Sequence, residues 1–261
     1  MRRRTYRSLV YYQFPNLVTY ADLAHGLFTR LGGHSIGPWT SLNTGHTVGD
    51  DPQAVEANHG LICEALRIER SDIVSPHQVH SAMVRVVGRE HRGQVCPETD
   101  ALITACPDVP LMLRFADCVP VLLYDPCHCV VGLAHAGWRG TADGIVGATV
   151  QAMADAFGCR PSDIVAGVGP AIGPCCYEVG HDVAASFREA PQVLHPAGDG
   201  HWYLDLWAAN QEQLARAGVR EVYMANICTA CHTEEWFSHR AERGRTGRWG
   251  ALIGLRVPRD A

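Results

Sequence analysis

Two short apolar runs, Val121-Leu122-Leu123-Tyr124 and Val130-Val131-Gly132-Leu133, are separated only by Asp125-Pro126-Cys127-His128-Cys129. Runs this short, bounded by turn residues, fold as the strands of a hairpin rather than as a helix. With Pro126 and Cys127 as a two-residue loop, Cys118 falls opposite His135, just past the paired strands. The flanking segments are Ala116-Asp117-Cys118-Val119-Pro120 and His135-Ala136-Gly137-Trp138-Arg139-Gly140-Thr141. A thiol facing an imidazole can share a metal ion or act as nucleophile and base. The hairpin therefore constrains both the fold and the place of the chemistry.

The rest of the chain is compatible with one α/β unit. Its 261 residues can bury a large core, and 47% apolar with 19% charged residues is the balance of a globular protein. A net charge of -5 argues against a general nucleic-acid partner. Arg2, Arg3, Arg4 and Arg7 make a basic start, but only Leu9-Val10-Tyr11-Tyr12 follows before Gln13 and Pro15. That run is too short for a signal peptide, and none approaches membrane-spanning length, so no membrane partner and a cytoplasmic location are expected. Eleven cysteines, an odd number in a large chain, point to reduced thiols, most of them buried structural residues.

Helices are expected from Pro52 to about Leu66, from Ala142 to Phe157 with Thr141 as cap, and from Asp205 to Gly218. Strands are expected at 82–87, 101–104, 111–115, 121–124, 130–134, 164–168, 221–225 and 251–257. Both hairpin and strand-helix-strand connections occur, which predicts a mixed sheet with helices packed outside it.

His80 ends His77-Gln78-Val79-His80 immediately before an expected strand, where its side chain can project from the sheet edge. Together, His80, Cys118 and His135 supply two imidazoles and a thiolate. Three protein ligands plus water is the pattern of a catalytic zinc site, whereas structural zinc takes four. A buried His80 bonded to a carbonyl is the bland alternative, and His77 could take its place. Asp117 either orients a ligand histidine or caps the turn before Pro120. Arg139, at a strand-to-helix turn, is either an anion contact or a surface arginine.

The ordered motifs of the whole chain resemble the YfiH-type family, once described as multicopper polyphenol oxidases and now associated with purine nucleoside phosphorylase activity. They run from His25-Gly26-Leu27-Phe28-Thr29-Arg30, Ser41-Leu42-Asn43 and Val48-Gly49-Asp50-Asp51-Pro52 through Gln78-Val79-His80 and Thr99-Asp100-Ala101-Leu102. After the two hairpin blocks come Gly169-Pro170-Ala171-Ile172-Gly173, Cys176-Tyr177-Glu178-Val179-Gly180, Cys228-Thr229, Phe237-Ser238-His239-Arg240 and Gly247-Arg248. The resemblance implies an α/β sandwich formed as a single domain over residues 1–261. It implies a zinc ion held by His80, Cys118 and His135. The implied reaction is attack of phosphate on the ribose anomeric carbon of adenosine or inosine, releasing base and ribose 1-phosphate. Methylthioadenosine phosphorolysis and adenosine deamination are further activities of the family. Arg30, Asn43 and Arg139 are the candidate contacts to ribose, base or phosphate, although Asn43 before Thr44-Gly45 also suits a turn. Ser81 stands where the family usually has Gly, and Trp236 where Phe is common.

Two rival chemistries follow from the same residues. A copper-dependent phenol oxidase needs several histidines in His-x-His pairs, and none of the 14 histidines forms one. A metal-free hydrolase would use Cys118 as nucleophile and His135 as base. Elsewhere, Cys228-Thr229-Ala230-Cys231-His232 invites a second-metal or redox reading. It lacks a second Cys-x-x-Cys, and Cys175-Cys176 is not one, so separate buried thiols are expected. Cys127-His128-Cys129 is expected in an exposed loop, and Glu178 as either an acid-base group or a structural one.

Overall fold

The computed structural model describes residues 1–256, and the last residue of the expected strand 251–257 lies outside that range. The first strands are β1 (Arg2–Tyr6), β2 (Leu9–Gln13), β3 (Leu23–Phe28) and β4 (Ser75–Pro76). Next come β5 (Val84–Val86), β6 (Val95–Cys96), β7 (Ala101–Thr104) and β8 (Leu111–Phe115). The hairpin is β9 (Val119–Asp125) and β10 (Val130–Ala136), followed by β11 (Val165–Val168) and β12 (Glu178–Val179). The chain closes with β13 (Leu194–Gly198), β14 (His201–Leu204), β15 (Glu221–Met224) and β16 (Trp249–Leu255). The helices are α1 (Pro52–Leu66), α2 (Trp138–Ala142), α3 (Ile145–Phe157), α4 (His181–Ala184) and α5 (Leu206–Arg216).

A five-stranded antiparallel sheet has the order β1-β2-β3-β16-β8, and a six-stranded sheet the order β15-β11-β9-β10-β7-β5. The second sheet is mixed: β11 with β15 and β5 with β7 run parallel, while β9 with β10 runs antiparallel. Three apolar cores stack the layers. Between the sheets, Leu113, Phe115, Ala251 and Ile253 meet Leu102, Leu122, Tyr124 and Leu133. The opposite face of the six-stranded sheet, through Val121 and Leu123, packs on Val146, Val150 and Met153 of α3 and Leu206 and Leu214 of α5. Ile62, Cys63 and Leu66 of α1 cover Phe28, Met112 and Leu252 on the outer face of the other sheet. The result is a helix-sheet-sheet-helix sandwich. Every residue of β9 and β10 is buried, because neighbours cover both faces. That double burial is why these two strands read as continuous apolar runs instead of alternating ones.

The structure corrects three expectations. The hairpin loop spans four residues, since Asp125 pairs with Val130, so His135 faces Pro120 and Ala136 faces Val119. Cys118 lies beyond the last pair, diagonal to His135 rather than opposite it. Because the shift is two residues, the strand pleat keeps Cys118 on the same face, and the two side chains still converge. The helix expected from Ala142 begins instead at Ile145, and a separate short helix, α2, precedes it: Gly144 takes φ 83 between the two, a left-handed conformation that ends one helix before the next begins. Thr141 is consequently buried inside α2, its hydroxyl donating to Asn210 Oδ1 over 3.4 Å, and it caps nothing.

The N-terminal hairpin β1-β2 and the strand β3 were not among the expected strands, although β2 contains the apolar run Leu9-Val10-Tyr11-Tyr12. β1 is an exposed edge rich in arginine, and β3 contains His25 and Gly26. His25 is nonetheless buried, with its Nε2 accepting from the Phe14 N–H at 2.9 Å.

Candidate active site

His80, Cys118 and His135 each offer one ligand atom, and these atoms all lie within 4.8 Å of one another. They come from three places: the loop between β4 and β5, the turn entering β9, and the end of β10. What holds them together is Asp100, fully buried at the entrance to β7. Its carboxylate accepts from the backbone N–H groups of Val79 at 3.1 Å, His80 at 3.0 Å and Ser81 at 2.8 Å. It also accepts from the Ser81 hydroxyl at 2.9 Å, and His135 Nδ1 lies 2.9 Å from its Oδ1. Burial acts to raise the Asp100 pKa, but these bonds from His135 and Ser81 hold the carboxyl well below the usual range. The contact engages His135 Nδ1 and leaves Nε2 for the cluster. It also pins the His80 loop, whose backbone takes φ 64 at that residue. Ser81, the departure from the family's usual Gly, thus contributes two of the donors to Asp100.

The His80 and His135 rings meet edge-on, 4.9 Å between centroids at 75°, and Phe115 backs His135 at 5.4 Å. A Cβ on Gly137 would stand 2.8 Å from His80 Cδ2 and 3.0 Å from Cys118 Sγ, so glycine alone leaves the cluster its space. Burial would push the Cys118 thiol up, but His135 and His80 beside it pull it below the usual thiol range. Burial would likewise pull His135 down, whereas Cys118 and Asp100 push it above the usual imidazole range. The donor set of two imidazoles and an ionised thiol, with one histidine oriented by a buried carboxylate, suits a zinc-sized ion with an open position.

The cluster opens into a cavity of about 760 Å³. Arg70, Arg114, Arg139, Arg240 and Arg248 line it, with Trp138 and Tyr177 as its aromatic surfaces. The Arg139 guanidinium stacks 4.4 Å from the Trp138 ring, and that of Arg240 stands 5.0 Å from Tyr177. Burial pulls Arg114 down to about 10, which still leaves it charged near neutral pH. So dense a set of cations in one concave site favours an anionic ligand.

Arg139, in α2, is exposed and also lines the cavity. Arg30 and Asn43 are not among the lining residues. Arg30 donates to the carbonyls of Thr40 and Thr233, both at 2.8 Å, and to Glu242 at 3.0 Å, under the Phe237 ring. Asn43 is fully buried; its Oδ1 accepts from Gly45 N at 2.9 Å and Arg248 N at 2.8 Å, and its amide donates to Asp50. It positions two lining residues and turns the chain.

Asp117 does not reach either histidine: its carboxylate accepts from Thr229 Oγ1 and Arg240 N, each at 2.7 Å. His77 lines the cavity but stands outside the ligand cluster. Glu178 is a surface residue 3.6 Å from His201. Cys127 and Cys129 are exposed, as expected. The wider expectation of buried thiols does not hold, since only four of the eleven cysteines are buried. Of Cys175, Cys176, Cys228 and Cys231, only Cys228 is buried, and their four sulfurs lie within 4.8 Å of one another.

Asp100, Arg114, Arg240 and Arg248 escaped residue-level reading. Three of them sit inside quoted motifs, but nothing in their spacing shows that they face one cavity.

A family profile described as multi-copper polyphenol oxidoreductase laccase matches residues 24–256. The chain belongs to this family. Among its relatives, purine nucleoside phosphorylase YlmD of Geobacillus stearothermophilus is 42% identical over 251 residues, covering 91% of this chain and 92% of the relative. A purine nucleoside phosphorylase of Deinococcus radiodurans is also 42% identical, over 244 residues, with 92% and 91% covered. The crystal structure of YlmD from Geobacillus stearothermophilus superposes with a TM-score of 0.92 at 40% identity, over 97% of this chain and 98% of that one. The Bacillus licheniformis hypothetical protein YfiH gives 0.91 at 35% identity, over 97% and 99%. These likenesses bear out the mixed α/β sandwich. Among the described residues, no helix is long and apolar enough to cross a membrane.

Proposed function

We propose that this chain, acting as one domain, is a zinc-dependent purine nucleoside phosphorylase that uses phosphate to cleave adenosine or inosine. The observation that carries the proposal is a three-ligand centre opening into a cavity lined by five arginines and two aromatic rings. Relatives named as purine nucleoside phosphorylases over nine-tenths of the chain support it.

His80, Cys118 and His135 would hold the zinc, which when bound supplies Lewis-acid charge beside the substrate. Arg139, Arg240 and Arg248 bind and orient phosphate. Asp117 accepts from the Arg240 backbone N–H and Asn43 from that of Arg248, which fixes where these side chains start, and the Arg139 guanidinium stacks on Trp138. Trp138 and Tyr177 offer flat faces to the purine. With the nucleoside held, a phosphate oxygen bonds to the anomeric carbon as the bond to the base nitrogen breaks. The base leaves with the electron pair and takes up a proton. Holding both reactants in one cavity supplies the orientation that such a displacement needs. Methylthioadenosine fits the same chemistry, whereas adenosine deamination would be a separate reaction at the same centre, in which water adds to the purine carbon that bears the amino group and ammonia leaves.

The test is adenosine or inosine supplied with and without phosphate, with metal analysis of the same sample. Phosphate-dependent release of free base, abolished by chelation and restored by zinc, is expected. Base release indifferent to phosphate would overturn the proposal. The contact chain Cys118–His135–Asp100 favours one second reading, a thiol nucleophile with its base and orienting carboxylate. Hydrolysis of esters or amides that survives complete removal of metal would support that reading instead. Oxygen-dependent phenol oxidation by copper-loaded protein would support the laccase alternative.

A further inference from the structure

The loops that leave the parallel neighbours β11 and β15 run side by side. Ala171 pairs with Cys228: Thr229 N donates to Ala171 O at 3.0 Å, and Ala171 N donates to Ile227 O at 3.1 Å. The first loop carries Cys175 and Cys176, and the second carries Cys228 and Cys231. Cys231 Sγ lies 3.6 Å from Cys175 Sγ and 3.4 Å from Cys176 Sγ, and all four sulfurs fall within 4.8 Å of one another. These separations are too long for a disulfide, whose sulfurs are about 2.05 Å apart. Four sulfurs bonded tetrahedrally to zinc at about 2.3 Å would be about 3.8 Å apart. The cluster is close to that geometry.

The surrounding backbone supports a built site. The Gly173 N–H points at Cys228 Sγ from 3.2 Å, the kind of bond that stabilises a thiolate ligand. The Gly173 carbonyl accepts from Cys176 N and Tyr177 N, both at 3.0 Å, closing the turn that presents the cysteine pair. A Cβ at Gly173 would come within 2.6 Å of the Trp207 ring and 3.3 Å of Cys175 Sγ. Cys175 and Cys231 are exposed, so an ion has a path to the sulfurs.

We infer that Cys175, Cys176, Cys228 and Cys231 form a second metal site, a closed tetrathiolate centre for one zinc ion. The second Cys-x-x-Cys that the sequence lacks is replaced by the adjacent pair Cys175-Cys176, brought in by strand pairing. Four protein ligands leave no open position, so this centre is structural. On binding, four S–H bonds give way to four sulfur–zinc bonds and up to four protons are released, with no change of oxidation state. The ion ties together two loops that reach the cavity, one carrying Ile172 and Tyr177, the other Thr229, whose hydroxyl holds Asp117. The site is independent of the nucleoside reading.

The experiment measures zinc in the full chain purified under reducing conditions. The parent is expected to hold about two ions per chain, Cys231→Ser about one, and Cys118→Ala about one. Cobalt-loaded Cys118→Ala should show the intense visible absorption of a thiolate-rich tetrahedral centre, and cobalt-loaded Cys231→Ser should lose most of it. Should Cys231→Ser not fold, alkylation of the parent, mapped by mass spectrometry, decides. Zinc should protect Cys175, Cys176 and Cys231, and a chelator should expose them. Unchanged zinc content in folded Cys231→Ser, equal alkylation with and without zinc, or a disulfide within the cluster in the reduced protein would each overturn the assignment.

Discussion

Replacing Gly137 by alanine should weaken metal binding at the three-ligand centre without damaging the fold. Gly137 has φ -73 and ψ 171, which any residue adopts, so the backbone does not resist the change. The cost is steric. The new Cβ would stand 2.8 Å from His80 Cδ2 and 3.0 Å from Cys118 Sγ. Comfortable carbon contacts begin at about 3.5 Å, so the His80 ring must retreat by about 0.7 Å. Metal bonds tolerate only about 0.2 Å, and the bonds from Val79, His80 and Ser81 to Asp100 keep the His80 loop from moving as a body. Overpacking of this kind costs about 1–3 kcal/mol, which converts to metal affinity lower by about 5- to 150-fold. Competition with a chromophoric chelator measures this directly. Gly147→Ala is the control: it lies in α3 with nothing within 4 Å of its added Cβ, so it should leave affinity unchanged and stabilise the fold by about 0.5–1 kcal/mol. Parent-like zinc affinity in Gly137→Ala would refute the placement of the ion between His80 and Cys118.

Asp100→Asn should lower zinc affinity by about 10- to 100-fold, because the amide cannot match a carboxylate that accepts from both the loop and His135; undiminished zinc content after dialysis would contradict this. Arg30→Ala should cost about 2 kcal/mol or more of stability by stripping three partners, while KM for phosphate stays at the parent value. Arg139→Ala should do the reverse, raising KM for phosphate with little change in Tm. Burial holds His25 and His59 neutral, each with a pKa down at about 3 against about 6.5 unfolded. The folded state then binds fewer protons than the unfolded one between those values. Stability contributed above pH 6.5 is lost as the pH falls, by up to about 4 kcal/mol between pH 7 and pH 5 for the two together. Denaturant titrations at the two pH values test this, and equal midpoints would show that these histidines do not stay neutral when buried.

Much of the fold was legible because strands and helices are set by local periodicity and end residues. Strands β7 and β8 begin and end where they were expected, and Asp51 and Asp205 cap α1 and α5 with side-chain oxygens, as such residues do at helix starts. Strand β1 was hidden because an arginine-rich edge strand carries no apolar face, and β3 because His25 and Gly26 interrupt its apolar run. The hairpin register was misread by two residues for a different reason: loop length depends on turn geometry, and Asp125, which accepts from Cys127 N and His128 N, organises a longer loop than Pro126 suggested.

The sequence pointed to His80, Cys118 and His135 through the family resemblance, and the structure brings their ligand atoms within 4.8 Å of one another. The sequence also determined the α/β layering and the family resemblance. Only the tertiary structure decided which residues support that trio and which face the cavity. Asp100 rather than Asp117 orients His135, and Arg114, Arg240 and Arg248 join Arg139 while Arg30 turns to Glu242. The same holds for Cys175-Cys176 and Cys228–Cys231, meaningless apart and adjacent only because β11 and β15 are parallel neighbours. The physical reason is one of range. Periodicity and capping act over a few residues, whereas a site is a convergence of distant side chains, and sheet packing alone brings them within bonding distance.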